Sequence, residues 1–218
     1  MFFSKRRLDY IFTFLTEFVV LIAGVLVYRF AAKIDDVQSF SEYALSRRVI
    51  SFIQPILILG LGVGLPRYIA IARARKDVAL SDNYYISAII LVFSFALVLI
   101  SAMLLFPATF SLLFFGEATY TRFIPSMAVM LFGLVLHSVV YSYYRGLIKM
   151  IHANIFQMLN LGLVPLLVFG FEKRIEFILL FTGMGWVLVA LVFLLISFTT
   201  IKIQKSLLSS AISDLLKY

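Results

Sequence analysis

Cysteine is absent from the 218 residues, and histidine occurs only twice. Without thiols there are no disulfides, no thiolate metal sites and no cysteine nucleophiles. His137 and His152 stand in different segments with no carboxylate pattern beside them, and no H-E-x-x-H run occurs. No catalytic constellation can be assembled, so the chain does not read as an enzyme and no metal or cofactor is expected. Charge is scarce as well. Only 14% of residues are Asp, Glu, Lys or Arg, against 63% hydrophobic, with a mean hydropathy of +1.06. A soluble domain of this size cannot keep that much apolar surface from water. Linkers rich in Pro, Gly or Ser and low-complexity tracts are missing too.

What is present is a set of long apolar runs. Six spans cover approximately 10–30, 45–66, 84–106, 123–144, 154–171 and 176–199. At about 1.5 Å per helical residue, each crosses most or all of a hydrocarbon core roughly 30 Å thick. Only helices and closed barrels satisfy the backbone in lipid, and barrel strands would be half as long with alternating polarity. The expected fold is therefore all-α, a polytopic bundle of six transmembrane helices. The basic head Lys5, Arg6, Arg7 before the first run resembles a signal peptide, but the run is too long and no A-x-A-like site follows. It reads as a retained first span. Residues 1–201 form the membrane lobe, and 202–218 are an amphipathic tail that lies on the inner surface or opens a linker.

The net charge of +8 would suggest nucleic acid in a soluble chain. Here its distribution sets topology instead. With the N-terminus inside, the inner segments hold Lys5, Arg6, Arg7, Arg67, Arg73, Arg75, Lys76, Arg145, Lys149, Lys202, Lys205 and Lys217, twelve of the 19 basic residues. The outer ends hold Arg29, Lys33, Arg47, Arg48, Arg122, Lys173 and Arg174. The acidic residues Asp35, Asp36, Glu42, Glu117, Glu172 and Glu176 gather on that outer side. Six spans place both ends inside, in the cytoplasmic (inner) membrane. The outer connection 107–121 carries an apolar patch at 110–115 expected at the interface, and 68–76 reads as an interfacial extension of the second helix.

Polar residues inside spans face the bundle interior or a wet cavity. Thr13, Glu17 and Gly24 share one helical face. Glu17 is a candidate coupling-ion residue, binding a cation or carrying a proton; it alternatively pairs with a neighbouring Arg or reaches the interface. Arg47, Ser51 and Gln54 form a stripe at i, i+4, i+7, and a guanidinium there suits an anionic ligand. Interfacial anchoring is the other reading of Arg47, and the preferred one for Arg48, snorkelling outward. Gly60, Gly62 and Gly64 lack the strand and the Lys-Ser/Thr of a phosphate loop, and read as packing residues and a flexible span end. Gly133, His137, Tyr141 and Tyr144 fall on one face, where His137 reads as an interhelical hydrogen-bonder ahead of a proton relay. Asn154, Gln157 and Asn160 cluster near the inner end of the fifth span and either touch a polar headgroup or join helices. Pro165 should kink that helix, and Gly183 and Gly185 read as packing residues.

Two stretches carry a family resemblance: FSEYALSRRVISFIQPILILGLGVGLPRYIA at 40–70, and YRGLIKMIHANIFQMLNLGLVPLL at 144–167. With the basic head and the six-span layout, they resemble the polysaccharide-biosynthesis, or lipid-linked oligosaccharide, flippases of the multidrug/oligosaccharidyl-lipid/polysaccharide exporter superfamily. The resemblance implies a carrier that moves polyprenyl-diphosphate-linked glycan between leaflets by alternating access, through a cationic lumen. Arg47, Gln54, Asn154 and Asn160 are then the candidate substrate-binding residues and Glu17 the coupling residue. Family members have two lobes, and this chain supplies one. The resemblance therefore implies a second lobe elsewhere, as a continuation of the chain, a split partner or a parallel homodimer, unless the chain is a remnant. Partners expected are the lipid-linked glycan and the bilayer, with no nucleic acid. Two other readings stay open: a multidrug-type cation antiporter half, and a non-transporting subunit of a glycan-assembly complex.

Overall fold

The computed structural model describes residues 2–34 and 37–217, with side chains from Arg7 onward. Asp35, Asp36 and the side chains of Lys5 and Arg6 lie outside the described residues. Ten α-helices follow in order: α1 (Phe2–Ala31), α2 (Val37–Ile58), α3 (Leu61–Ala74), α4 (Val78–Leu105), α5 (Pro107–Phe115), α6 (Phe123–Gly146), α7 (Met150–Gln157), α8 (Val164–Phe171), α9 (Ile175–Phe198) and α10 (Lys205–Leu216). A 3₁₀ turn, Ala118–Arg122, precedes α6, and a π-helical turn, Met158–Leu163, joins α7 to α8. Among the described residues, six spans are long and apolar enough to cross a membrane, as the hydropathy pattern predicts. The protein is a six-helix, multi-pass membrane bundle.

Helix ends follow local chemistry. The Asp77 carboxylate accepts the Leu80 N–H at 2.9 Å and starts α4. Pro107 opens α5, where its missing N–H costs nothing. Gly116 ends α5 at φ 80°, and in the turn before α9 the Glu172 carboxylate accepts the N–H groups of Lys173 and Arg174 at 2.9 and 3.0 Å.

The second span departs from expectation at both ends. Helix begins at Val37 and, after a break, runs on to Ala74, a total of 38 residues against the expected 45–66. Hydropathy misses its ends because they are polar, while backbone bonding continues regardless. The break is a left-handed pair, Leu59 at φ 54° and Gly60 at φ 74°. Gly60 supplies that conformation without steric cost, whereas Leu59 is strained there. Gly62 is not a close-packing site, since a Cβ there would meet only Ile58 Cγ2 at 3.9 Å. Of the extension 68–76, residues to Ala74 are helical and its apolar side, Ile69 and Ala72, packs into the core formed by α3, α4 and α6.

α6 is the axis of the bundle. It packs against α9, α3, α4, α2 and α7, and its most apolar window is 72% buried, against 17% for α1. Glycine permits the closest approach. A Cβ on Gly133 would stand 2.8 Å from Gly183 O, and one on Gly183 would stand 2.6 Å from the N and Cα of Met130, so α6 and α9 touch backbone to backbone. Pro165, expected to kink the fifth span, lies just after the π turn, which rearranges the backbone bonding that the imino acid interrupts.

At the end of the bundle carrying the termini, buried Asp82 accepts from Arg73 Nη2 at 2.7 Å and from the Lys202 N–H at 3.1 Å. α10 docks there too: Tyr68 and Tyr84 hydroxyls donate to the Asp214 carbonyl (3.1 Å) and carboxylate (2.9 Å). The tail is thus a helix fastened to α3 and α4. At the far end, Arg122 bridges Glu42 of α2 and Glu176 of α9, both at 3.5 Å.

Candidate functional site: a polar cleft on the first two spans

Most of the exposed surface is what lipid requires. α9 presents Leu188, Val192, Leu195 and Ile196, and α4 presents Phe95, Leu97 and Val98. The exposed surface of α1 and α2 is mixed, with polar groups set among apolar ones such as Phe14, Phe18, Val25 and Phe52. On α1 it includes Tyr10, Glu17 and Tyr28; on α2 it includes Ser41, Arg48 and Ser51. Hydrocarbon solvates Glu17 and Arg48 poorly, so these two side chains are the ones on α1 and α2 that call for a polar neighbour.

Two cavities hold these polar groups, one between α1, α6 and the fifth span and the other between α1 and α2. The one nearer the termini, about 340 Å³, is lined by Asp9, Tyr10, Thr13, Glu17, Tyr141, Arg145, Ile148, Met150 and Asn154. Its α1 wall is an i, i+4, i+8 series, Asp9–Thr13–Glu17, while α6 contributes Tyr141 and Arg145, whose guanidinium lies 5.6 Å from the Tyr141 ring centre. The far cavity, about 670 Å³, is lined by Tyr28, Ser41, Ala44, Leu45, Arg48, Ser51 and Phe52.

The fifth span ties the near chamber together. Asn154, Gln157 and Asn160 are three residues apart, the first two turned to α1 and the third to α6. Asn154 Nδ2 donates to Thr13 Oγ1 at 2.9 Å, and Gln157 Nε2 donates to both Glu17 carboxylate oxygens at 3.2 Å. Asn160 Nδ2 and His137 Nδ1 share a hydrogen bond at 3.0 Å, in which the amide donates when the imidazole carries its proton on Nε2. His137 also stacks on Phe156 at 4.6 Å and Tyr141 at 5.6 Å. It is the interhelical hydrogen-bonder that its lone position suggests. Glu17 pairs with an amide; among the described residues it forms no ion pair with arginine. The Oε1 of Gln157 and the Oδ1 of Asn160 are buried without a partner.

The five residues singled out from sequence do not converge. Glu17 and Asn154 share the near chamber. Half-buried Gln54 donates to Ser138 Oγ at 2.8 Å, and Asn160 is fully buried against His137, so both are tied to α6. Arg47 turns toward α9, its guanidinium 5.2 Å from the ring centre of Trp186, whose buried indole N–H has no acceptor. Sequence reasoning left Asp9 unremarked and did not assign Tyr141 or Arg145 to the site, although it placed Tyr141 on the face of His137. Their signal was available, because Asp9 extends the Thr13–Glu17 spacing by one turn and Tyr141–Arg145 repeats it on α6.

Chemically, the near chamber offers two carboxylates, an amide and a guanidinium around aromatic rings, enough to hold a cation or a proton. The far cavity is cationic. Neither a family model nor a curated protein nor a solved structure matches this chain.

Proposed function

We propose that this protein is one lobe of a carrier that moves polyprenyl-diphosphate-linked oligosaccharide across the cytoplasmic membrane by alternating access, with a second lobe or second copy completing the path. The observation that carries this reading is the set of polar and charged groups exposed on α1 and α2, Glu17, Ser41, Arg48 and Ser51, which lipid solvates poorly. The resemblance at 40–70 and 144–167 supports it. An arginine of α2 receives the diphosphate, since guanidinium groups meet phosphate oxygens in a fork. Asn154, at the chamber wall, meets sugar hydroxyls. Gln54 and Asn160 reach substrate when their bonds to Ser138 and His137 are exchanged, a rearrangement alternating access requires. Glu17 couples the cycle to an ion gradient by gaining and losing a proton or cation against Gln157.

The test is flipping of a fluorescent polyprenyl-diphosphate oligosaccharide in liposomes carrying the protein with its second half. Reversing both α2 arginines (Arg47→Glu with Arg48→Glu) abolishes translocation, and Glu17→Gln removes its dependence on the gradient. Normal flipping by the double variant refutes the reading.

One observation favours a second reading. The near chamber, with Asp9, Glu17, Tyr10 and Tyr141, has the acidic and aromatic character that suits an organic cation. A multidrug-type antiporter half predicts efflux of cationic dyes that Glu17→Gln abolishes, with lipid-linked glycan left unmoved.

A further inference from the structure

The two consecutive arginines of α2 go to different places. Arg47 is taken up by the Trp186 ring inside the bundle, whereas Arg48 lines the far cavity with Tyr28, Ser41 and Ser51. Glu42, six residues before Arg48, is fixed to Arg122 at the start of α6. Arg48 therefore stands about 9 Å deeper than that level, at ~1.5 Å per residue. A snorkelling arginine would turn back toward the far end. Instead the guanidinium lies 5.8 Å from the ring centre of Phe52, one turn nearer the middle of the bundle. Among the described residues neither arginine forms an ion pair, so the Arg48 cation faces a cavity of about 670 Å³ with its charge unanswered.

The other groups around it complement a phosphate-linked sugar. Ser41 and Ser51 donate their protons to the carbonyls of Val37 and Arg47, at 2.9 and 2.8 Å. Their oxygens are left as acceptors, suited to sugar hydroxyls. Donors for an anion come from the guanidinium and the Tyr28 hydroxyl. Resting on the carrier reading above, we infer that Arg48, rather than Arg47, binds the phosphate of the transported molecule, in the cavity between Tyr28 of α1 and Ser41 and Ser51 of α2. Arg47 positions α2 through Trp186.

Equilibrium binding decides it, using the full chain in neutral-lipid nanodiscs and radiolabelled farnesyl diphosphate as the probe. Variants are Arg48→Gln, Arg47→Gln and Arg48→Lys, each checked for an unchanged melting temperature. Arg48→Gln weakens binding about tenfold or more, the loss expected for a charge-assisted hydrogen bond. Arg48→Lys, which keeps the charge and loses the fork, recovers part of it, and Arg47→Gln changes it less than about threefold. Inorganic pyrophosphate competing with equal affinity makes the ligand a free phosphate compound; failure to compete makes it a lipid headgroup. Wild-type binding in Arg48→Gln overturns the assignment. If binding is then lost in Arg47→Gln, the carrier reading survives with Arg47 as the phosphate residue. If neither variant weakens binding, the carrier reading falls with it.

Discussion

Replacing Gly183 by alanine tests the packing that makes α6 the axis of the bundle. The new Cβ would stand 2.6 Å from Met130 N and Cα and 2.8 Å from Val129 C, all backbone atoms that cannot swing aside. To restore ordinary contact, α9 must move off α6 by about 1 Å, a gap that forfeits a quarter to a half of each contact it opens. Overpacking of this kind costs about 1–3 kcal/mol. The gain from removing a helical glycine, about 0.5–1 kcal/mol, offsets part of it. The net expectation is a loss of about 1–2 kcal/mol, read as a fall of roughly 2–8 °C in melting temperature in detergent. Gly170→Ala is the control, because a Cβ there meets nothing within 4 Å, and it should be neutral or slightly stabilising. A Gly183→Ala protein that melts with the wild type would refute the close α6–α9 seam.

Three further outcomes follow from the same geometry. Asp82→Asn removes the charge that Arg73 and the Lys202 N–H converge on, and breaking such a buried pair should cost about 3 kcal/mol or more in chemical unfolding. His137→Leu leaves the buried Asn160 amide without a partner and should cost about 1–3 kcal/mol, while adding Asn160→Leu should restore most of it; additive losses would mean the two side chains are not coupled. The N–H groups of Arg174 and then Lys173 hold the Glu172 carboxyl below its usual range. Its contribution is therefore complete above the unfolded carboxylate pKa of about 4.3 and is lost as pH falls through the lower folded value. Glu172→Gln should flatten the acid limb of a melting-temperature profile and change nothing in its slope above about pH 5.

Span number and helix type are legible in the sequence because lipid leaves the backbone few options and continuous apolar runs declare them. The span ends are less so. Residues 37–44 and 66–74 are polar enough to fall outside a hydropathy window, yet Tyr43, Ile69 and Ala72 are buried core. The polar positions were visible as well, since Glu17, Asn154, Gln157 and Asn160 stand out against apolar neighbours. Their pairing was not. Thr13–Asn154 and Glu17–Gln157 join residues about 140 positions apart, and no spacing rule on one helix reveals which helix lies opposite. Arg47 and Arg48 show the same limit more sharply. Adjacent residues on a helix point about 100° apart, and only the placement of Trp186 and of the α1 wall says which of them enters the interior and which the cleft.

On the carrier reading, the polar groups exposed on α1 and α2 line a water-filled path while the exposed faces of α4 and α9 meet lipid. The chain has no cysteine, so single cysteines can be placed without removing any native thiol. Ser51→Cys and Ser41→Cys on the cleft, with Val98→Cys and Leu188→Cys on the apolar faces, would be treated in intact membranes with a membrane-impermeant maleimide, which reacts only with hydrated thiolate. Labelling is expected at positions 41 and 51, and at 98 and 188 only after denaturation. A cysteine at position 51 as unreactive as one at 98 would place the cleft in lipid and contradict it.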